Sequence, residues 1–272
     1  MVFLSLSIVI ALLITIALPI AVSFWLNRKR HVSWRVMLYG VLGYFIVQAL
    51  VTLPFNGLAL LVQEGIVVLD DPSLIVVQTI MSVLVGALVG VLVRWAGMKF
   101  VSGGLDTLEG GYGIGVGYGG AESIILTGVS LLFTFVSMVS NINIDPNTTT
   151  LDPEFVTAVQ EAWQMSPLIP FAISIERLSA FVMHITVTIL VLQVFKRQSV
   201  LWLLAAFGLE LGMNGIIVGF AEADLPVGWF VLLSVIFLAV NLYLLYRIEG
   251  FEFFRGLREE KLSMETPFED EA

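Results

Sequence analysis

Seven long apolar runs constrain this chain more than any other feature. They read as Val2–Leu26, Val36–Val62, Leu74–Val93, Gly111–Val139, Pro170–Phe195, Val200–Phe220 and Val227–Tyr246. A helix rises about 1.5 Å per residue, so runs of this length cross the roughly 30 Å of bilayer hydrocarbon. In lipid the backbone must satisfy its own polar groups, and a helix does so within one segment. The predicted fold is therefore all-α: a polytopic membrane protein, a bundle of about seven transmembrane helices. Composition agrees. The chain is 58% apolar and 13% charged, against roughly 25% charged in soluble domains. That excludes a soluble enzyme, a disordered chain and a secreted disulfide module. With no cysteine, disulfides, thiolate metal sites and cysteine nucleophiles are excluded together.

The distribution of charge predicts orientation. Of thirteen Lys and Arg, twelve fall on one side if the spans alternate: Arg28, Lys29, Arg30 and Arg35; Arg94 and Lys99; Lys196 and Arg197; Arg247, Arg255, Arg258 and Lys261. The opposite loops hold acids such as Asp70, Asp71, Asp145, Asp152, Glu154, Glu222 and Asp224. The positive-inside rule puts the N-terminus outside and the C-terminus in the cytoplasm. Residues 1–248 then form a single transmembrane domain and 249–272 a cytoplasmic acidic tail, in a multi-pass protein of the plasma membrane. The first run reads as a true span: no positive segment precedes it, and it is too long for a signal h-region. A net charge of −9 without a broad basic patch gives no case for nucleic acid. Pro54 with Asn56-Gly57 predicts a kink or break in the second span. Asp152–Gln164, in the longest outside loop, reads as a short amphipathic helix. Asn147-Thr148-Thr149 fits a glycosylation sequon, a weak pattern.

Ionisable residues at bilayer depth mark functional sites by default. Five are predicted there: Glu122 in span four, Glu176, Arg177 and His184 in span five, and Glu210 in span six, with Asn214 one turn beyond Glu210. Counting helical rise from the inner surface puts Glu122, His184 and Glu210 all roughly 18 Å deep, near the midplane. Glu176 and Arg177 form a second layer nearer the outside, with Asn214 between the two. One imidazole and two carboxylates can ligate zinc and leave a position for water, whose pKa the metal lowers to about 7. A carboxylate that does not ligate can act as general base. The same residues can equally hydrogen-bond across helices or form a proton or ion path. Span four opens with Gly111, Gly115 and Gly119. This spacing lets a neighbouring helix approach closely and presses Glu122 against it. Gly115–Gly120 formally fits G-x-G-x-x-G, but no strand precedes it and it lies in a span, which excludes nucleotide binding. His31 reads as a surface residue. Ser123, Ser174 and Ser179 lie near the polar set, but no second span histidine or lysine is present to activate a serine.

Three stretches together carry a resemblance: Gly115-Val116-Gly117-Tyr118-Gly119-Gly120-Ala121-Glu122, Glu176-Arg177-Leu178-Ser179-Ala180-Phe181-Val182-Met183-His184, and Glu210-Leu211-Gly212-Met213-Asn214. In order and spacing they resemble the YhfC family of intramembrane metalloproteases, distant relatives of the CAAX-processing endopeptidases and of the APH subunit of gamma-secretase. Tyr118 stands where that family usually has a histidine, and Glu210 and Asn214 stand in place of a His-x-x-x-Asp-like motif. The resemblance implies a membrane-embedded zinc-dependent peptidase acting on membrane-bound peptide or protein substrates. His184, Glu210 and Glu122 would surround the metal, with Asn214 as auxiliary ligand. Glu122 would be the base if it does not ligate. Glu176 and Arg177 would form a structural or substrate-orienting pair. Two alternatives stay open: a non-catalytic scaffold of the same fold, favoured by the missing histidines, and a proton- or ion-coupled transporter with Glu122, Glu176 and Glu210 as relay.

Overall fold

The structure, a computed structural model, describes residues 1–67, 71–101, 105–143, 151–222 and 226–248. The tail, the sequon and the acids Asp70, Asp145 and Asp224 lie outside the described residues. Among the described residues the chain is helical and has no strand. Seven helices are long and apolar enough to cross a membrane. The first span is α1 (Val2–Leu12) and α2 (Leu18–Arg30), joined by a π-helical turn at Leu13–Ala17. Next come α3 (Trp34–Gln63) and α4 (Asp71–Phe100). The fourth span is α5 (Leu108–Glu122) and α6 (Val129–Ser140), joined by a second π-helical segment at Ser123–Gly128. A short helix, α7 (Pro153–Gln164), precedes the last three spans, α8 (Leu168–Arg197), α9 (Leu201–Glu222) and α10 (Val227–Arg247). The multi-pass membrane class expected from the sequence is thus found.

One expectation about the spans is narrowed and one is overturned. Helix α3 runs unbroken through Pro54, so no break occurs there. Membrane helices tolerate proline when neighbouring groups satisfy the freed backbone. Helix α4 extends to Phe100, seven residues past Val93. Arg94 therefore lies inside a span and not in a cytoplasmic loop, and it is 2% exposed. Lys99, in the last turn, is exposed.

Helix α8 is the axis of the bundle. It packs against α1, α4, α5, α9 and α10, and most of its length from Ser179 to Gln193 is buried. Glycine on α5 makes this possible on two faces. A Cβ on Gly115 would stand 2.7 Å from the Ile185 backbone of α8, and one on Gly119 would stand 3.1 Å from His184 Cβ. On the other face a Cβ on Gly117 would stand 2.0 Å from the carbonyl oxygen of Met37 in α3. The close approach predicted from the four-residue glycine spacing therefore holds α5 against α8, and a second set of glycines holds it against α3.

The first π-helical segment has a local cause. Pro19 has no N–H to give to the carbonyl of Thr15 one turn back. The helix takes up the mismatch with an i to i−5 bond from the Leu18 N–H to the Leu13 carbonyl. The Thr15 carbonyl instead accepts the Ser123 hydroxyl at 3.0 Å. Ser123 begins the second π-helical segment, directly after Glu122.

Candidate functional site

Four helices deliver charged side chains to one buried cluster. Arg94 comes from α4, Glu122 from the end of α5, Glu176, Arg177 and His184 from α8, and Glu210 from α9. His184 lies near the middle of the 30-residue α8, so the cluster sits at mid-depth in the bundle. The sequence placed most of these residues correctly by element. Arg94 was missed because a single arginine after Val93 reads as a span end. The signal against that reading is the continuing apolar stretch Trp95–Met98 and the exposed lysine that follows it.

Arg94 is the hub. Its Nη1 donates to both oxygens of Glu210, at 3.1 and 2.9 Å, and its Nη2 donates to Nδ1 of His184 at 2.8 Å. The guanidinium lies 3.9 Å from the ring centroid of Tyr118, a cation–π geometry. Gly90, one turn earlier on α4, makes room: a Cβ there would stand 2.7 Å from Glu210 Oε1. An arginine has only donors. Nδ1 of His184 must therefore be the acceptor, and Nε2 carries the proton. Nε2 lies 2.8 Å from Oε2 of Glu122, and among the described residues no well-aligned hydrogen bond uses it. Glu122 also reaches Nη1 of Arg177 at 3.5 Å, and Arg177 pairs directly with Glu176.

The two layers expected from helical rise are therefore one string: Glu210, Arg94, His184, Glu122, Arg177, Glu176. Glu122 joins its two halves. Three carboxylates face two guanidiniums, which leaves one carboxylate in surplus beside a neutral imidazole. Glu122 is the most accessible acid of the three, with its side chain 17% exposed against 3% for Glu210 and 6% for Glu176. Asn214 is half-buried and joins the string by no hydrogen bond among the described residues. Tyr118 contributes its ring: its centroid lies 4.8 Å from that of His184 and 5.7 Å from that of Tyr44. Ser123 and Ser174 bond to backbone carbonyls, the Ser179 hydroxyl is buried without a hydrogen-bond partner among the described residues, and His31 is exposed at the end of α2.

Two apolar grooves flank α3 and α5. One, of about 510 Å³, lies between α2, α3 and α5 and is lined by Pro19, Trp34, Gly120 and Ala121 among others. The second, of about 390 Å³, lies between α3, α4 and α5 and includes Arg94 and Tyr118 in its wall.

A profile of the YhfC intramembrane metalloproteases matches residues 14–240. The chain belongs to that family. Among curated proteins and solved structures, none matches the chain. Membership in the YhfC family implies a metal cofactor and a substrate in or at the membrane. The donor set offers a test of the first implication. A metal on His184 needs a ring-nitrogen lone pair, and the neutral ring has one, at Nδ1, already accepting from Arg94. Glu122 and Glu210 stand at opposite edges of the ring, so one ion cannot face both through the same nitrogen. Among the described residues no three His, Cys, Asp or Glu side chains gather as a ligand set. The side chains as arranged do not fit a bound divalent ion.

Proposed function

We propose that this YhfC protein hydrolyses peptide bonds of membrane-embedded substrates, with Glu122 as general base and no metal step. The observation that carries this reading is the meeting of the surplus carboxylate of Glu122 with Nε2 of His184 at 2.8 Å, a donor that no well-aligned hydrogen bond among the described residues uses. A water held by this pair accepts from Nε2–H and donates to Glu122. Glu122 takes its proton as the water oxygen bonds to the scissile carbonyl carbon. The carbonyl oxygen gains the charge and gives it up when the carbonyl re-forms. The proton on Glu122 passes to the amide nitrogen, and the C–N bond breaks. Glu176 and Arg177 are positioning residues that hold Glu122 from its other side. The groove containing Arg94 and Tyr118 supports entry of an extended segment from the lipid side. In this role the protein is a multi-pass protein of the plasma membrane.

A second reading is favoured by one observation: Arg94, His184 and Glu210 are each 3% exposed or less. A seal of this kind suits a non-hydrolytic scaffold that retains the cluster to hold four helices together. The test is cleavage of a labelled transmembrane peptide by the protein in liposomes. Wild type cleaves, and Glu122→Gln, which keeps size and loses the base, falls by about 10²–10⁴-fold, the usual contribution of general-base catalysis. Equal cleavage by both proteins removes Glu122 from the mechanism. No cleavage of a set of such peptides by folded wild type favours the scaffold.

A further inference from the structure

We infer that Arg94 occupies the position a metal ion would take in this cluster, so that the resting protein is metal-free and the arginine is a built-in cation. The family's implied metal and this chain's side chains disagree, and the disagreement has a structural cause. Glu210 Oε1 and His184 Nδ1 stand 3.9 Å apart. Two ligands on one tetrahedral zinc, at about 2.0–2.1 Å each, stand about 3.3–3.4 Å apart. The space between this carboxylate and this imidazole, at 3.9 Å, is about half an ångström wider than that. The Arg94 guanidinium bridges it instead, within 3.1 Å of both Glu210 oxygens and 2.8 Å of Nδ1.

Three features make that occupancy specific to this chain. Gly90 leaves space for the Glu210 carboxylate against α4, where a Cβ would stand 2.7 Å from its oxygen. Tyr118 presents an aromatic face to the guanidinium at 3.9 Å. An imidazole ligand at that position would instead compete with it for the same charge. Glu210 presents a carboxylate, whose two oxygens both accept from Nη1 of the guanidinium, in a way a neutral histidine cannot. A fixed cation already bound by both groups excludes a divalent ion by repulsion and by taking their lone pairs. The inference concerns cation occupancy and stands whether or not the protein hydrolyses peptides.

Zinc content is the measurement. Full-length wild type, Arg94→Met and Arg94→Met/His184→Ala are purified in detergent, incubated with zinc chloride, desalted and assayed by elemental analysis, with thermal unfolding followed with and without zinc. Wild type is expected to carry substoichiometric zinc and to show no zinc-dependent shift in Tm. Arg94→Met is expected to gain about one zinc per chain and a higher Tm with zinc, both lost in the double variant. If Arg94→Met is recovered folded only when zinc is supplied, that rescue is the same result. Stoichiometric zinc in wild type overturns the inference. So does an Arg94→Met protein that neither binds zinc nor is rescued by it.

Discussion

At the scale of single residues, the cluster depends on complementary charges that cannot be exchanged one at a time. Removing one partner of a buried pair costs about 3–5 kcal/mol, because the other charge is left behind. Tyr118 illustrates a different dependence. Its hydroxyl is not what the neighbours use; Arg94 sits over the ring face and His184 lies against it. Tyr118→Phe is therefore expected to keep the thermal stability of the wild type. Tyr118→Leu removes the face, and with it a cation–π contribution of about 0.5–2 kcal/mol. Thermal unfolding of the two variants in detergent checks this; a lower Tm for the phenylalanine variant than for the leucine variant would refute it.

At the scale of elements, close packing of α5 positions Glu122. The helix is clamped between α3 and α8 because its glycines bring backbone to backbone, and the π-helical segment that follows begins at the residue after Glu122. Such segments frequently interrupt helices at functional sites. Gly117 gives a sharp test, since an added Cβ would stand 2.0 Å from the Met37 carbonyl oxygen. Gly117→Ala is expected to destabilise the bundle by about 1–3 kcal/mol, the usual cost of overpacking. Gly86 on α4 has open space where its Cβ would be, so Gly86→Ala is expected to be neutral or to gain up to about 1 kcal/mol from helix propensity. Unfolding of the pair in detergent checks the prediction, and equal effects at both positions would rule against the clamp.

At the scale of the molecule, orientation follows from the loops. With Arg94 moved into a span, eleven Lys and Arg still fall on the side assigned to the cytoplasm, so the positive-inside argument keeps its sign. We propose an outside N-terminus on that basis. The chain has no cysteine, so a single introduced one reports its side without background. Glu161→Cys, on α7, is expected to react with an impermeant thiol reagent on intact cells. His31→Cys, in the basic loop, is expected to react only after permeabilisation. The reverse pattern would invert the topology.

The sequence by itself determined the spans and the helical class, because a bilayer admits so few backbones. It also named Glu122, Glu176, Arg177, His184 and Glu210, since an ionisable group in an apolar run is conspicuous. The glycine spacing on α5 announced a close neighbour without saying which helix. What only the tertiary structure decided is who pairs with whom. Arg94 sits 90 residues from His184 and 116 from Glu210 in the chain, and a lone arginine near a span end looks the same whether it faces water or a buried carboxylate. Helical rise gave the depth of each residue but not its direction around the helix axis, so two layers were expected where Glu122 turns to touch both His184 and Arg177. Asn214 shows the same gap from the other side: it has the right depth, and only the packing of α9 leaves it out.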